Sequence, residues 1–94
     1  MDAEKQIAVI TAMTASLPTL RRRLHLTQAG LGAAVGVTGK TIYYIETGRQ
    51  RMTWTMCLAL FYLFSLDRRT QPVLIEAGIR PEEFAGLMKN PKWE

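Results

Sequence analysis

The 94 residues suffice for one domain with a single modest core and are too few for two. The formal charge of +4 is unevenly placed: from Arg21 to Arg51 the basic residues Arg21, Arg22, Arg23, Lys40, Arg49 and Arg51 face Glu46 alone, a local +5 that leaves −1 for the rest. A positive middle between near-neutral ends points to a polyanion such as nucleic acid, whereas one cysteine, Cys57, and one histidine, His25, exclude an intrachain disulfide framework and leave metal or Cys/His nucleophilic chemistry without a donor set.

Strand-like alternation is nearly absent, and no repeat, linker or low-complexity tract interrupts the chain. It reads as all-α, a compact bundle of five to six short helices forming one domain over 1–94, with a core at 16–66 and a helical extension at 67–94. A first helix from residue 2 to about 15 carries Ile7, Ile10 and Met13 on one stripe. Its apolar run, 7–15, is like that of a signal peptide, but Asp2, Glu4 and Lys5 sum to −1 where a targeting segment needs positive charge, so a cytoplasmic protein is expected. Ser16 reads as the N-cap of the next helix, with Pro18 in its first turn and Leu17, Leu20 and Leu24 forming an apolar face beside the arginines. His25 lies near its end. The run Arg21 to Arg23, taken alone, is also what a solvated helix face carries.

Thr27 then caps a helix over 28–35, with Leu26 placed to pack on Leu31 as a hydrophobic staple. The device recurs: Thr38 caps a helix from 39 to about 46, Val37 staples to Ile42, and Gly48 supplies a left-handed position past the end. Beyond a basic loop at 48–52, Thr53 caps the most apolar segment, 54–66. As a helix it reaches only about 20 Å against the roughly 30 Å of a membrane span, so it is a buried helix with Cys57 as a small core residue. Pro72 and Gly78 bracket another helix, Pro81 with Glu82 and Glu83 opens a last short one, and Asn90-Pro91 stops it before a tail ending in Trp93 and Glu94.

Between Gln28 and Glu46 the apolar residues sit where two short helices crossing steeply need them. Leu31 and Val35 are four apart on the first helix, Ile42 and Ile45 three apart on the second, and Val37 plugs the turn. Gly36 suits a turn needing positive φ, and Gly32, one turn earlier, allows the second helix to come close.

The stretch LRRRLHLTQAGLGAAVGVTGKTIYYIETGR, Leu20 to Arg49, resembles the lambda-repressor-like (Cro/repressor, Xre-type) helix-turn-helix family of phage repressors, Cro and small bacterial regulators, and the likeness extends to about Leu66. The resemblance implies a double-stranded DNA operator as partner, with the second helix of the motif in the major groove and the first crossing the backbone. The implied reading surface is Thr38, Gly39, Lys40, Thr41, Tyr43 and Tyr44. Lys40 would donate to guanine O6 and N7, the threonines would meet a thymine methyl or a phosphate, and Tyr44 would reach a base edge or a phosphate. A solvated Lys40, and tyrosines packed on the body of the protein, are the alternatives. Gln28 matches the family's glutamine that engages a phosphate at the helix start, Arg49 and Arg51 match loop contacts to phosphate, and Arg21 and Glu46 match a structural ion pair between the preceding helix and the end of the recognition helix. Gly39 stands where many relatives carry a long polar reader, so one base contact is either missing or replaced by close backbone approach, and specificity shifts toward Lys40, Thr41, Tyr44 and DNA shape.

The segment 54–66 has more apolar surface than one small core absorbs, so a homodimer is expected, built from it with the C-terminal region or the N-terminal helix; the alternative is that the extra helices complete a monomer's core. The functional expectation is a transcriptional regulator of repressor type. A protein-interaction module that keeps the fold, such as an antitoxin or phage regulator acting through a protein partner, is the second reading. No cofactor is expected, and no paired acid and base, activated nucleophile or phosphate loop accompanies the motif, so no enzyme is expected either.

Overall fold

The structure is a computed structural model whose description covers residues 3–84. Five helices follow one another: α1 (Ala3–Arg23), α2 (Gln28–Val35), α3 (Gly39–Glu46), α4 (Trp54–Ser65) and α5 (Gln71–Glu76). Residues 82–84 open a further helical segment, and no strand occurs among the described residues. The described residues therefore form the expected all-α bundle, with further helical structure past α4. Asp2, the stop at Asn90-Pro91 and the tail with Trp93 and Glu94 lie outside the described residues.

One boundary is corrected. Ser16 is not a cap, and residues 3–23 form a single helix with Pro18 in its interior. Proline there removes one backbone hydrogen bond and costs about 3 kcal/mol. Against this, Val9, Met13, Leu17 and Leu20 recur at helical spacing and are all buried. Each such burial contributes ~1.5–3 kcal/mol, so a continuous register that keeps all four on the core outweighs the lost bond.

The other helix starts follow from threonine caps. The Thr27, Thr38 and Thr53 hydroxyls accept from the backbone N–H of Gly30, Thr41 and Met56 at 2.9, 3.1 and 3.1 Å. Pro72 lies in the first turn of α5 as its sequence position indicates. α1 lies against α3, α4 and α5, and α2 packs chiefly on α3. The core joins the α1 stripe to Leu31, Ile42, Ile45, Met52, Leu60, Phe64, Leu74 and Ile79. Cys57 is in it too, and burial pushes its thiol up to about 11, so it stays protonated at neutral pH.

Part of the surplus apolar surface of α4 is covered by the chain's own C-terminal extension: the Phe84 ring lies 5.5 Å from Trp54 and 4.4 Å from Phe61, centroid to centroid. The turn into α5 is fixed by Thr70, fully buried, whose hydroxyl donates to the carbonyls of Phe64 and Asp67 at 2.6 and 3.2 Å. No helix among the described residues is long and apolar enough to cross a membrane.

Candidate nucleic-acid interface

The site is the corner made by α2, the turn 36–38 and α3. Leu31, Ile42 and Ile45 are fully buried beneath it, with Val35 and Val37 half-buried against them. Gly36, at φ 83, ends α2 in the left-handed region, and the Val37 N–H donates back to the Gly32 carbonyl at 2.9 Å. Gly32 is where α2 nearly touches the backbone leading into α3: a Cβ there would stand 2.6 Å from the Val37 carbonyl oxygen and 2.8 Å from the Thr38 carbonyl carbon.

A second close approach is invisible in the sequence. A Cβ on Gly39 would lie 2.8 Å from the Ala29 Cα and 2.9 Å from its nitrogen. The absence of a side chain at 39 thus has a cause within the fold, the seating of the start of α3 on α2.

With one side of α3 buried, its free side presents Lys40, Tyr43 and, one turn beyond, Thr47, all exposed, with Thr41 and Tyr44 half-buried at its edges. Thr38 is exposed at the cap, and its hydroxyl is hydrogen-bonded to that of Thr41 at 3.1 Å, so the two are held together. The Lys40 ammonium sits 5.6 Å from the Tyr44 ring centroid, close enough for a cation–π attraction of ~0.5–1 kcal/mol that orients the lysine without neutralising it. The Tyr43 and Tyr44 rings are 5.8 Å apart. Thr47 was not singled out in the sequence, although it lies seven residues from Lys40 on the same helical face. Its hydroxyl donates to the Tyr43 carbonyl at 2.9 Å, which occupies its one proton.

α3 ends in a left-handed Gly48, after which the Arg49 and Gln50 N–H groups both donate to the Tyr44 carbonyl, at 2.8 and 3.1 Å. Arg49 and Arg51 are exposed on this loop, which is tied down at its far side by buried Met52. A cleft of about 390 Å³ between the loop and α1 has Arg51 and Gln50 at its edge and Ile10, Ile45 and Met52 among its lining.

Arg21 and Glu46 form the ion pair the sequence indicates, with Nε–Oε2 at 2.8 Å and Nη2–Oε1 at 3.1 Å, the side chains only 12% and 7% exposed. Arg21 also donates to the Leu26 carbonyl at 3.0 Å. Gln28 completes the joint, its amide donating to Glu46 Oε1 at 3.1 Å. The start of α2 is therefore fastened to the end of α3, and the Gln28 side chain is engaged there rather than hanging free beside the helix terminus. Burial pushes the Glu46 carboxyl upward, but hydrogen bonds from Arg21 and Gln28 and the charges of Arg21 and Arg22 outweigh it and hold the group below the usual carboxylate range. The Glu46 hydrogen bond, opposed by burial, raises Arg21. Among the described residues no cluster of His, Cys, Asp and Glu could hold a metal ion.

Two capped helices crossing at a glycine turn, with one exposing a polar face and the other its N-terminus beside it, define the helix-turn-helix class, whose geometry presents one helix to the major groove of duplex DNA. A family model described as "Helix-turn-helix domain" matches residues 12–71, and the chain belongs to that family. No curated protein and no solved structure matches it.

Proposed function

We propose that this protein is a lambda-repressor-like, Xre-type transcriptional regulator that binds an operator sequence as a homodimer and acts as a repressor by occupying it, and that it is a binding protein and not an enzyme. The observation that carries the reading is the pairing of Lys40, Tyr43 and Tyr44 on the free face of α3 with a second helix fastened alongside through Gln28 and Glu46. A cation held over an aromatic ring leaves its N–H groups free for guanine O6 and N7, and Thr38 with Thr41 offers methyls and hydroxyls to thymine or phosphate. Arg49 and Arg51 flank the face as phosphate contacts, and the backbone N–H groups at the start of α2 supply another. Gly39 contributes close approach rather than a reading side chain, so part of the discrimination falls to the sequence-dependent shape of the duplex.

Selection of bound duplexes from a random pool tests this directly, returning a preferred sequence and its half-site spacing together. Lys40→Ala is expected to weaken the preferred site by about tenfold, ~1–2 kcal/mol, while affinity for unrelated duplex changes little. Equal weakening on every sequence would remove Lys40 from base reading. An absence of salt-dependent duplex binding would favour the protein-interaction module instead.

A further inference from the structure

We propose that Arg22, Arg23 and Arg68 form a second phosphate-binding strip, running from the helix-turn-helix over the end of α1 to the α4–α5 loop, which grips duplex backbone flanking the site read by α3. The inference rests on the DNA-binding reading above and extends its footprint.

The fold separates the three consecutive arginines. Arg21 turns inward to Glu46. Arg22 stays exposed, near enough to Glu46 for its charge to act on that carboxylate at the end of α3. Arg23, exposed on the other flank of α1, reaches the Arg69 carbonyl at 3.4 Å, which brings the end of α1 beside the loop that carries Arg68. The acid of that loop, Asp67, is already taken: Arg69 holds both its oxygens, at 3.0 and 2.9 Å, so Asp67 does not offset Arg23 or Arg68. Favourable interaction with the α1 dipole accounts for arginines in its last turn. It does not account for a third, exposed Arg68, on the loop whose Arg69 carbonyl Arg23 reaches. Exposed cations carried on neighbouring backbone in this way hold counterions that a polyanion displaces, and the phosphates of one strand, about 3.4 Å apart along the axis, can run past them in succession. The strip starts two residues before the loop that leads into Thr27 and α2, so backbone held at the start of α2 continues toward it.

The test compares a duplex that ends at the selected site with one extended by about one helical turn, roughly 10 base pairs, on each side. Salt dependence of affinity is measured on both for the native chain, for Arg23→Gln with Arg68→Gln, and for Arg23→Lys with Arg68→Lys. On the extended duplex the glutamine variant is expected to lose about 1.8 from the log–log salt slope, so that over a fourfold rise in salt its affinity falls about tenfold less than that of the native chain, while the lysine variant keeps the slope. On the short duplex the three proteins should agree. Equal slopes on the extended duplex overturn the strip while leaving DNA binding intact, as does an equal loss on both duplexes, or a loss seen with polyglutamate or anionic vesicles and not with DNA. If the native chain binds neither duplex, the functional reading itself fails. Thermal unfolding of both variants at the native temperature shows that the changes are not losses of fold.

Discussion

His25 closes α1 at φ 56, a left-handed conformation that costs a residue with a side chain roughly 1–2 kcal/mol. The backbone requires it. Leu26 N–H donates to the Arg21 carbonyl and His25 N–H to that of Arg22, at 3.2 and 3.0 Å, the double bond pattern of a helix ended by a left-handed residue. Gly36, Gly48 and Gly78 fill the equivalent positions after α2, α3 and α5 without that cost. His25→Gly is therefore expected to stabilise the fold by about 1 kcal/mol, less the added freedom of the unfolded chain, seen as a rise of a few degrees in the thermal midpoint. Gly32 predicts the opposite sign. Its missing Cβ leaves room for backbone atoms of residues 37 and 38, which have no rotamer to yield, so Gly32→Leu should force the turn open and lower stability by about 3 kcal/mol in a urea titration. The sequence discloses Gly32 and Gly36 because spacing within the motif assigns them a task. It does not disclose Gly39, whose partner Ala29 is an ordinary surface alanine until the crossing of α2 and α3 brings its backbone within reach.

At the scale of elements, the fastening of α1, α2 and α3 through Arg21, Gln28 and Glu46 decides whether the face of α3 is held in one orientation. An exposed ion pair would contribute little. This one is mostly buried, satisfies both carboxylate oxygens, and no buried side-chain nitrogen or oxygen among the described residues lacks a partner. Removing one member leaves the other's charge stranded, at a cost of about 3 kcal/mol. The pH dependence follows from the direction of the shift. Glu46 is held below the carboxylate value it has in the unfolded chain, so its stabilisation is present above that ordinary value and is lost as pH falls through the folded one. Glu46→Gln should lower the thermal midpoint at neutral pH and flatten its decline in acid, so that native and variant curves converge toward low pH. Parallel curves would show that another carboxylate governs the acid limb. Asp67, half-buried and drawn down to about 2 by the side chain and backbone N–H of Arg69, is the other candidate, and Asp67→Asn separates the two. The sequence supplied the pairing of Arg21 with Glu46 through family likeness. The third partner, Gln28, is not legible as one, because a glutamine at a helix start equally suits a phosphate contact, and its bond to Glu46 follows only once the end of α3 is located. The same limit explains Ser16 and Pro18: local signals for a helix start are genuine, yet the apolar register of Val9, Met13, Leu17 and Leu20 spans them, and burial prevails.

At the scale of the whole molecule, the apolar excess of α4 is divided between two sides. Trp54 and Phe61 are covered by Phe84 from the same chain, which is the monomer-completing role for the C-terminal extension. Tyr62 on α4 and Leu66 at its C-cap, one turn apart, remain 68% and 64% exposed, and Ile75 on α5 is 56% exposed. Periodicity alone could not divide them, since a helix apolar all round does not announce which side meets its own extension. The proposed homodimer requires a face of this kind, because two-fold related copies read half-sites about one helical turn apart and roughly double the phosphates engaged. If Tyr62, Leu66 and Ile75 form it, Leu66→Lys with Ile75→Lys brings like charges across the interface without touching the core, and leaves α3 as it was. The native chain should then sediment at twice the monomer mass and protect both halves of a palindrome, while the variant sediments as a monomer, protects one half and shows about half the native salt slope. A native chain that sediments as a monomer, free and on DNA, would rule the homodimer out. A variant that stays dimeric would move the interface to the α1 surface around Ile7, itself 59% exposed, where Ile7→Lys is the corresponding change.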